Sequence, residues 1–410
     1  MRKLIGPFSQ IVTMNGLPLK GTLHDPSLEV IEKGGIWIEN ELIVKIGPFE
    51  ELIKNRQSDD EIEELGGDCV ALPGMIDAHT HICFAGSRAR DYVLRVGGTP
   101  YLEIARQGGG IWDSVTKTRQ ADFNQLLSQT GTRALRLLND GVTTAEVKSG
   151  YGLTVEDELK MLKVIREVHQ NQKIDLIGTC LAAHICPKDF EGTQKEYLTH
   201  ILHELLPKVK EEGLSNRIDI FVEESAFSVE EGDFFLRKAK EMGFSVLVHA
   251  DQFHPGGSQL AVKHGAVSAD HLEASTDKEI ALLANSDTIA MALPGASIGL
   301  GVEFTPCRKL LDAGAALAIA SDWNPGSAPM GDLLTQAAIL GAYEKLSFAE
   351  TIAGVTFRAA AALALSDRGT LETGKLADLI AFPTNDYREI LYHQGKMRPA
   401  KIWKKGEFIS

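Results

Sequence analysis

Two histidines, His79 and His81, stand one residue apart in "LPGMIDAHTHICFAG" (72–86), just past an apolar run that contains Asp77. Side chains alternate across a strand, so residues at i and i+2 face the same way, and two imidazoles so placed can share one cation. A bare pair of this kind is more readily explained as two incidental loop histidines. The rest of the chain weighs against that. Apolar runs further on end at His184 in "CLAAH", His249 in "VLVHADQF", His271 in "SADHLE" and Asp322 in "IASDWNPG". Polar groups at the ends of apolar strands are costly unless they are hydrogen-bonded or bound to metal. His79, His81, His249 and Asp322 together offer three nitrogens and one oxygen, a donor set that suits zinc or iron. A water on the open position of such an ion has its pKa lowered towards about 7, which supplies hydroxide near neutral pH.

The elements that carry these residues follow from hydrophobic periodicity. Eight apolar runs span 69–81, 141–150, 174–184, 218–227, 244–253, 266–274, 288–297 and 316–326, with helical patterns between them. In "TVEDELKMLKVIREVHQNQ" (154–172), Met161, Leu162, Ile165 and Val168 form an apolar stripe, and Thr154 with Asp157 three residues on is close to a capping box. Gly141, Gly213, Gly243, Gly265 and Gly314 each stand just before a strand, as left-handed helix C-caps do. Strands alternating with helices imply a parallel sheet, and eight of them imply an α/β fold of the (β/α)₈ TIM-barrel type over 71–365. A doubly wound open sheet is the alternative. Residues 1–70 look like short strands, with "GGIWIENELIVKIG" (34–47) as a hairpin around "ENE", and the tail from 366 to 410 returns to strand-like pieces.

Composition narrows the class. The 410 residues carry 42 basic and 56 acidic side chains, a formal charge of −14, which argues against a nucleic-acid-binding face. No apolar run approaches the roughly 18 residues of a membrane span. "MRKLIGPFSQIV" lacks the apolar stretch and cleavage site of a signal peptide, and Cys69, Cys83, Cys180, Cys186 and Cys307 form no CxxC pair. These features lead to the expectation of a cytoplasmic protein acting on a small molecule, with neither a nucleic-acid nor a membrane partner.

The HxH at strand one, the histidines at strands five and six and the aspartate at strand eight resemble the amidohydrolase superfamily. The tail "GTLETGKLADLIAF" looks like the segment that re-enters that superfamily's small β-sandwich domain. The resemblance therefore implies a composite sandwich built from both chain ends, 1–70 and 366–410. More narrowly, "LPGMIDAHTHICFAGSRARDY", "EVKSGYGL", "AAH", "VHADQF", "SADHLE" and "SDWNPGSAP" resemble the imidazolonepropionase family over nearly the whole length. That resemblance implies hydrolysis of 4-imidazolone-5-propanoate to N-formimidoyl-L-glutamate by a homodimer. It implies that Arg88 binds the propanoate, that Tyr151 and His184 contact the substrate, and that Asn324, Gly326 and Ser327 form a loop around its polar end. Gln252 carries an amide that can donate and accept, which suits a ring with both NH and C=O. An ordinary ion pair between Arg90 and Asp91 is the bland reading of "SRARDY".

Some positions depart from relatives. Related deaminases often carry glutamate where Gln252 stands, and an amide cannot act as a base. Proton transfer is then expected at Asp322 and His271. Dinuclear relatives bridge two metals with a carboxylated lysine on strand four; "IDIFVEESAF" has none, Lys148 lies on strand two, and the roles of Glu223 and Glu224 stay open. One metal per chain, Zn²⁺, Fe²⁺ or Fe³⁺, is therefore expected. After strand seven, "PGASIGLG" lacks an expected aromatic pair. A deaminase, and a non-catalytic scaffold on the same fold, are the competing readings; the filled donor positions count against the scaffold.

Overall fold

The computed structural model describes residues 2–99 and 101–410. Two sheets organise them. The first runs in the order Glu407–Phe408, Lys401–Lys404, Leu379–Phe382, Val70–Pro73, Arg2–Val12, Val30–Glu39, Leu42–Pro48, with Glu61–Glu64 also paired to Arg2–Val12. It is thus built from both ends of the chain. The hairpin at 34–47 lies in it: Val30–Glu39 and Leu42–Pro48 are joined by Asn40 and Glu41, whose φ of 49° and 76° give the doubly left-handed turn that matches strand twist.

The second sheet holds Met75–Asp77, Val142–Lys148, Asp175–Ala183, Arg217–Phe221, Ser245–Ala250, Ser268–His271, Ile289–Ala292 and Leu317–Ile319, parallel and in chain order. These are barrel strands one to eight. The apolar run at 69–81 is two strands rather than one. Val70–Pro73 pairs in the first sheet, the chain turns at Gly74, and only Met75–Asp77 enters the barrel. A side chain at Gly74 would meet Thr143 at 2.5 Å, so the crossing between sheets leaves no room for one.

Strands one and eight share no ladder, and the barrel closes by other means. Ser321 donates to Asp77 through its backbone N (2.9 Å) and its hydroxyl (2.5 Å). His81 N donates to Trp323 O (2.9 Å) and Asp322 N to His79 O (3.0 Å). The same bonds place His79 and His81 beside Asp322. Around the barrel, helices such as Val155–Asn171 bury their apolar stripe; Thr154 caps that helix by accepting from Asp157 N, and Met161, Leu162, Ile165 and Val168 are buried. All five helix-ending glycines have positive φ, from 56° at Gly265 to 99° at Gly314.

A buried charge cluster fastens the two sheets together. Asp175, at the start of strand three, accepts from Lys404 Nζ (2.7 Å) and Arg368 Nη1 (2.6 Å), and Lys404 also donates to Asp378 (2.6 Å). Burial opposes ionisation of Asp175, but Lys404 and Arg368 outweigh it and hold its pKa below the ordinary value. A depressed carboxylate stabilises the fold above its unfolded pKa of about 3.9 and loses that contribution as pH falls through the folded value. Asp175→Asn should therefore be about 1.5–3 kcal/mol less stable than wild type at pH 7. Denaturant titrations should show the gap closing below about pH 4; a gap that stays constant down to pH 3 would mean that packing, not charge, is lost.

Candidate metal centre and substrate cavity

The four donors read from the sequence converge at the C-terminal mouth of the barrel. His79 Nε2 lies 3.2 Å from His81 Nε2, and His81 Nε2 lies 3.4 Å from His249 Nε2. Asp322 Oδ1 is 3.6 Å from His79 Nε2 and 3.4 Å from His81 Nε2. Zinc–nitrogen bonds of about 2.0–2.1 Å in a tetrahedron put neighbouring donors about 3.3–3.4 Å apart. The donor atoms thus already have the spacing of a metal's coordination sphere. His271 is drawn into the same neighbourhood, its ring 5.4 Å from that of His249.

What orients these rings was not read from the sequence. Asp270 accepts from His79 Nδ1 (2.7 Å), and Asp219 Oδ2 lies 3.0 Å from His249 Nδ1. Each contact leaves the Nε2 lone pair of its imidazole facing the mouth. Lys148 Nζ sits between the two carboxylates, 2.8 Å from Asp219 Oδ2 and 3.7 Å from Asp270 Oδ2, and 2.8 Å from Glu146 Oε2. Lys148, Glu146, Asp219 and Asp270 are all fully buried. Burial opposes the charge on Lys148, but the carboxylates of Asp219, Glu146 and Asp270 outweigh it and raise its pKa. Burial likewise opposes the charge on Asp219, and His249 and Lys148 overcome it and hold that carboxyl low. Arg217 lies 3.8 Å from Glu146, so a second buried cation joins Lys148 in this layer. The signal available was the i, i+2 pair Glu146 and Lys148 inside an apolar run, with Asp219 in another.

Asp322 is pushed up to about 7, chiefly by burial. For His271, burial opposes the charge, but Glu273, Asp322 and Asp270 raise its pKa overall; its Nδ1 lies 3.6 Å from Glu273 Oε2. His184 Nδ1 donates to Gly150 O (2.9 Å), and burial and His249 push it down to about 3, so it stands neutral with Nε2 as an acceptor. Its ring stacks on His81 at 5.6 Å and 22°.

These groups open on one cavity of about 570 Å³, which Arg88, Tyr151, His184, Gln252, Asn324 and Ser327 also line. Gly326 does not line it. It packs behind Arg88, where a Cβ would meet Nη1 at 2.2 Å. Asn324 spends its amide on the loop: Oδ1 accepts from Gly326 N (2.7 Å) and Ser327 N (2.8 Å), and Nδ2 donates to Asp322 O (2.8 Å) and Ser327 Oγ (2.9 Å). The ion pair of "SRARDY" is not Arg90 with Asp91. Arg88 Nε donates to Asp91 (2.9 Å), which also accepts from Gly110 N (2.8 Å), while Arg90 turns to Gln107. Glu223 is buried and receives His254 Nδ1 (2.5 Å) and the Phe253 amide (2.9 Å); Glu224 is exposed at the cavity rim. Leu300 and Val302 stand on the wall where aromatics were expected.

Barrel, composite sheet and converged donors define a hydrolase of the amidohydrolase type. The sequence profile of the Amidohydrolase family matches residues 70–409. Imidazolonepropionases of Bacillus cereus (strain G9842) and Bacillus anthracis are each 42% identical over 403 residues, 97% of this chain and 94% of theirs. Solved structures share the fold. An adenosine deaminase from Xanthomonas campestris with bound zinc superimposes with a TM-score of 0.73 at 19% identity, covering 99% of this chain and 92% of its own. The atrazine chlorohydrolase of Arthrobacter aurescens TC1 complexed with zinc gives 0.70 at 16% identity, with 99% and 94% covered. The chain belongs to the amidohydrolase family, and within it to the imidazolonepropionase group.

Partners behind metal ligands typically change affinity about 10- to 100-fold when lost. Lys148→Met should weaken divalent-metal binding by about that factor in chelator competition, with all four donors intact. Unchanged affinity would mean that the cage has no part in holding them.

Proposed function

We propose that this protein opens the ring of 4-imidazolone-5-propanoate by hydrolysing its cyclic amide, giving N-formimidoyl-L-glutamate. The observation that carries the reading is that one cavity is lined both by His81, His249 and Asp322, with His79 Nε2 3.6 Å from the Asp322 carboxylate, and by Arg88. The relatives named for this reaction align over 97% of the chain, which supports it.

A divalent ion, zinc or iron, held by His79, His81, His249 and Asp322 would supply Lewis acidity and a water of lowered pKa. A single ion is inferred, because carboxylation needs a neutral amine and Lys148 is kept charged by its carboxylate cage. Asp322 would take a proton from that water and return it to the ring nitrogen as the C–N bond breaks. His271 polarises the carbonyl that becomes the new carboxylate. Arg88, fixed through Nε by Asp91, keeps its terminal nitrogens for the propanoate. His184 Nε2 accepts from a ring N–H, and Gln252 and Tyr151 meet the ring's remaining polar edge. Asn324, Gly326 and Ser327 hold the loop that closes on Arg88. We also propose a homodimer in the cytoplasm. The five cysteines are free, and no helix of the described residues is long and apolar enough to cross a membrane.

The test is spectrophotometric. Purified protein with about one equivalent of metal should consume imidazolone propanoate and leave cytosine and guanine untouched; turnover of either base in place of the imidazolone would overturn the reading. Arg88→Met should lower kcat/KM for imidazolone propanoate about 10- to 100-fold. The 5-ethyl analogue, which lacks the carboxylate, should be no worse a substrate for this variant than for wild type. Equal losses on both compounds would make Arg88 a structural residue.

A further inference from the structure

The helix Ala89–Val96 starts immediately after Arg88 and carries a second guanidinium, Arg95, that lines the same cavity. Residues three, four and seven apart share one helix face, so Arg88, Asp91 and Arg95 stand in a row. The row has two cations and one carboxylate. Asp91 is already engaged by Arg88 Nε (2.9 Å) and by Gly110 N (2.8 Å). Among the described residues, the Arg95 side chain forms no hydrogen bond or ion pair. Its guanidinium lies 5.7 Å from the Tyr92 ring centroid, and its Nη2 is withdrawn from solvent without an acceptor. A charged donor left in that state is destabilising and calls for a partner. The carboxylate at the cavity rim, Glu224, lies by His254, and Glu223 is taken by that histidine. The row therefore presents one positive charge in excess, in a chain whose total is −14.

The geometry points to Arg95 as a specificity-determining residue that shares the substrate's side-chain carboxylate with Arg88. Each guanidinium takes one carboxylate oxygen, and Asp91 keeps the first from swinging away. This rests on the hydrolytic reading above and deepens it. It assigns recognition of the carboxylate to two residues, of which Gly326 makes room for one and the 89–96 helix delivers the other.

The experiment compares Arg95→Gln and Arg95→Lys with wild type on imidazolone propanoate and on its 5-ethyl analogue. Arg95→Gln should raise KM for the carboxylate substrate about 10-fold or more with little change in kcat, because binding alone is lost. The ethyl analogue should be processed as by wild type. Arg95→Lys should recover part of the loss, restoring the charge without the planar fork. Glutarate, a simple dicarboxylate, should bind the wild-type holoenzyme more tightly than Arg95→Gln by calorimetry. Equal losses on both ring substrates, or none on either, would overturn the assignment. If wild type left imidazolone propanoate untouched, the hydrolytic reading would fail by itself, and the glutarate comparison would still decide whether Arg95 binds a carboxylate.

Discussion

An ammonium group without solvent, Lys148 Nζ, is the contact on which the site depends. Removing such a charge from water is tolerable only where opposite charges surround it closely. Here Glu146, Asp219 and Asp270 do so, and two of those carboxylates also grip the back of His249 and His79. Barrel topology explains why they meet. Side chains inside a (β/α)₈ barrel stack in layers drawn from alternate strands. Lys148, Asp219 and Asp270 come from strands two, four and six, and the imidazoles they steady come from strands one and five. The charged layer thus fixes the tautomers of the layer above it, and the donors need little rearrangement to take a cation.

The second constraint is the seam between strands one and eight. Met75–Asp77 and Leu317–Ile319 each form a ladder with their other neighbour but not with one another. Closure falls to the Asp77 carboxylate on Ser321 and to backbone bonds among His79, His81, Asp322 and Trp323. Fold closure and assembly of the donor set are therefore one event. Asp322 takes a positive φ of 52°, and His271 one of 89°, conformations uncommon for such residues that the surrounding packing must impose.

Much of this was legible along the chain. The i, i+2 histidines, the terminal polar residue of run after run, the helix-ending glycines and the stripe of Val155–Asn171 are local patterns, and local patterns survive into the fold. What escaped depends on distant partners. Asp219 and Asp270 look like ordinary polar positions in short runs, and their meaning comes from Lys148, 71 and 122 residues away in sequence. Lys148 stands out only as a charged residue in an apolar run, and its place in the charged layer depends on the barrel's register. The split of 69–81 at Gly74 has no periodic signature, because both halves are apolar. Arg90 and Asp91 are sequence neighbours and so point to different sides of a helix, which is why Asp91 serves Arg88 instead.

X-ray absorption at the metal edge, on protein loaded with zinc, tests the central claim most directly. The account predicts one metal environment, with three imidazole nitrogens and one carboxylate oxygen from the protein at about 2.0–2.2 Å and no metal neighbour. A second metal at about 3.5–4 Å, as a carboxylated Lys148 would bridge, would contradict it.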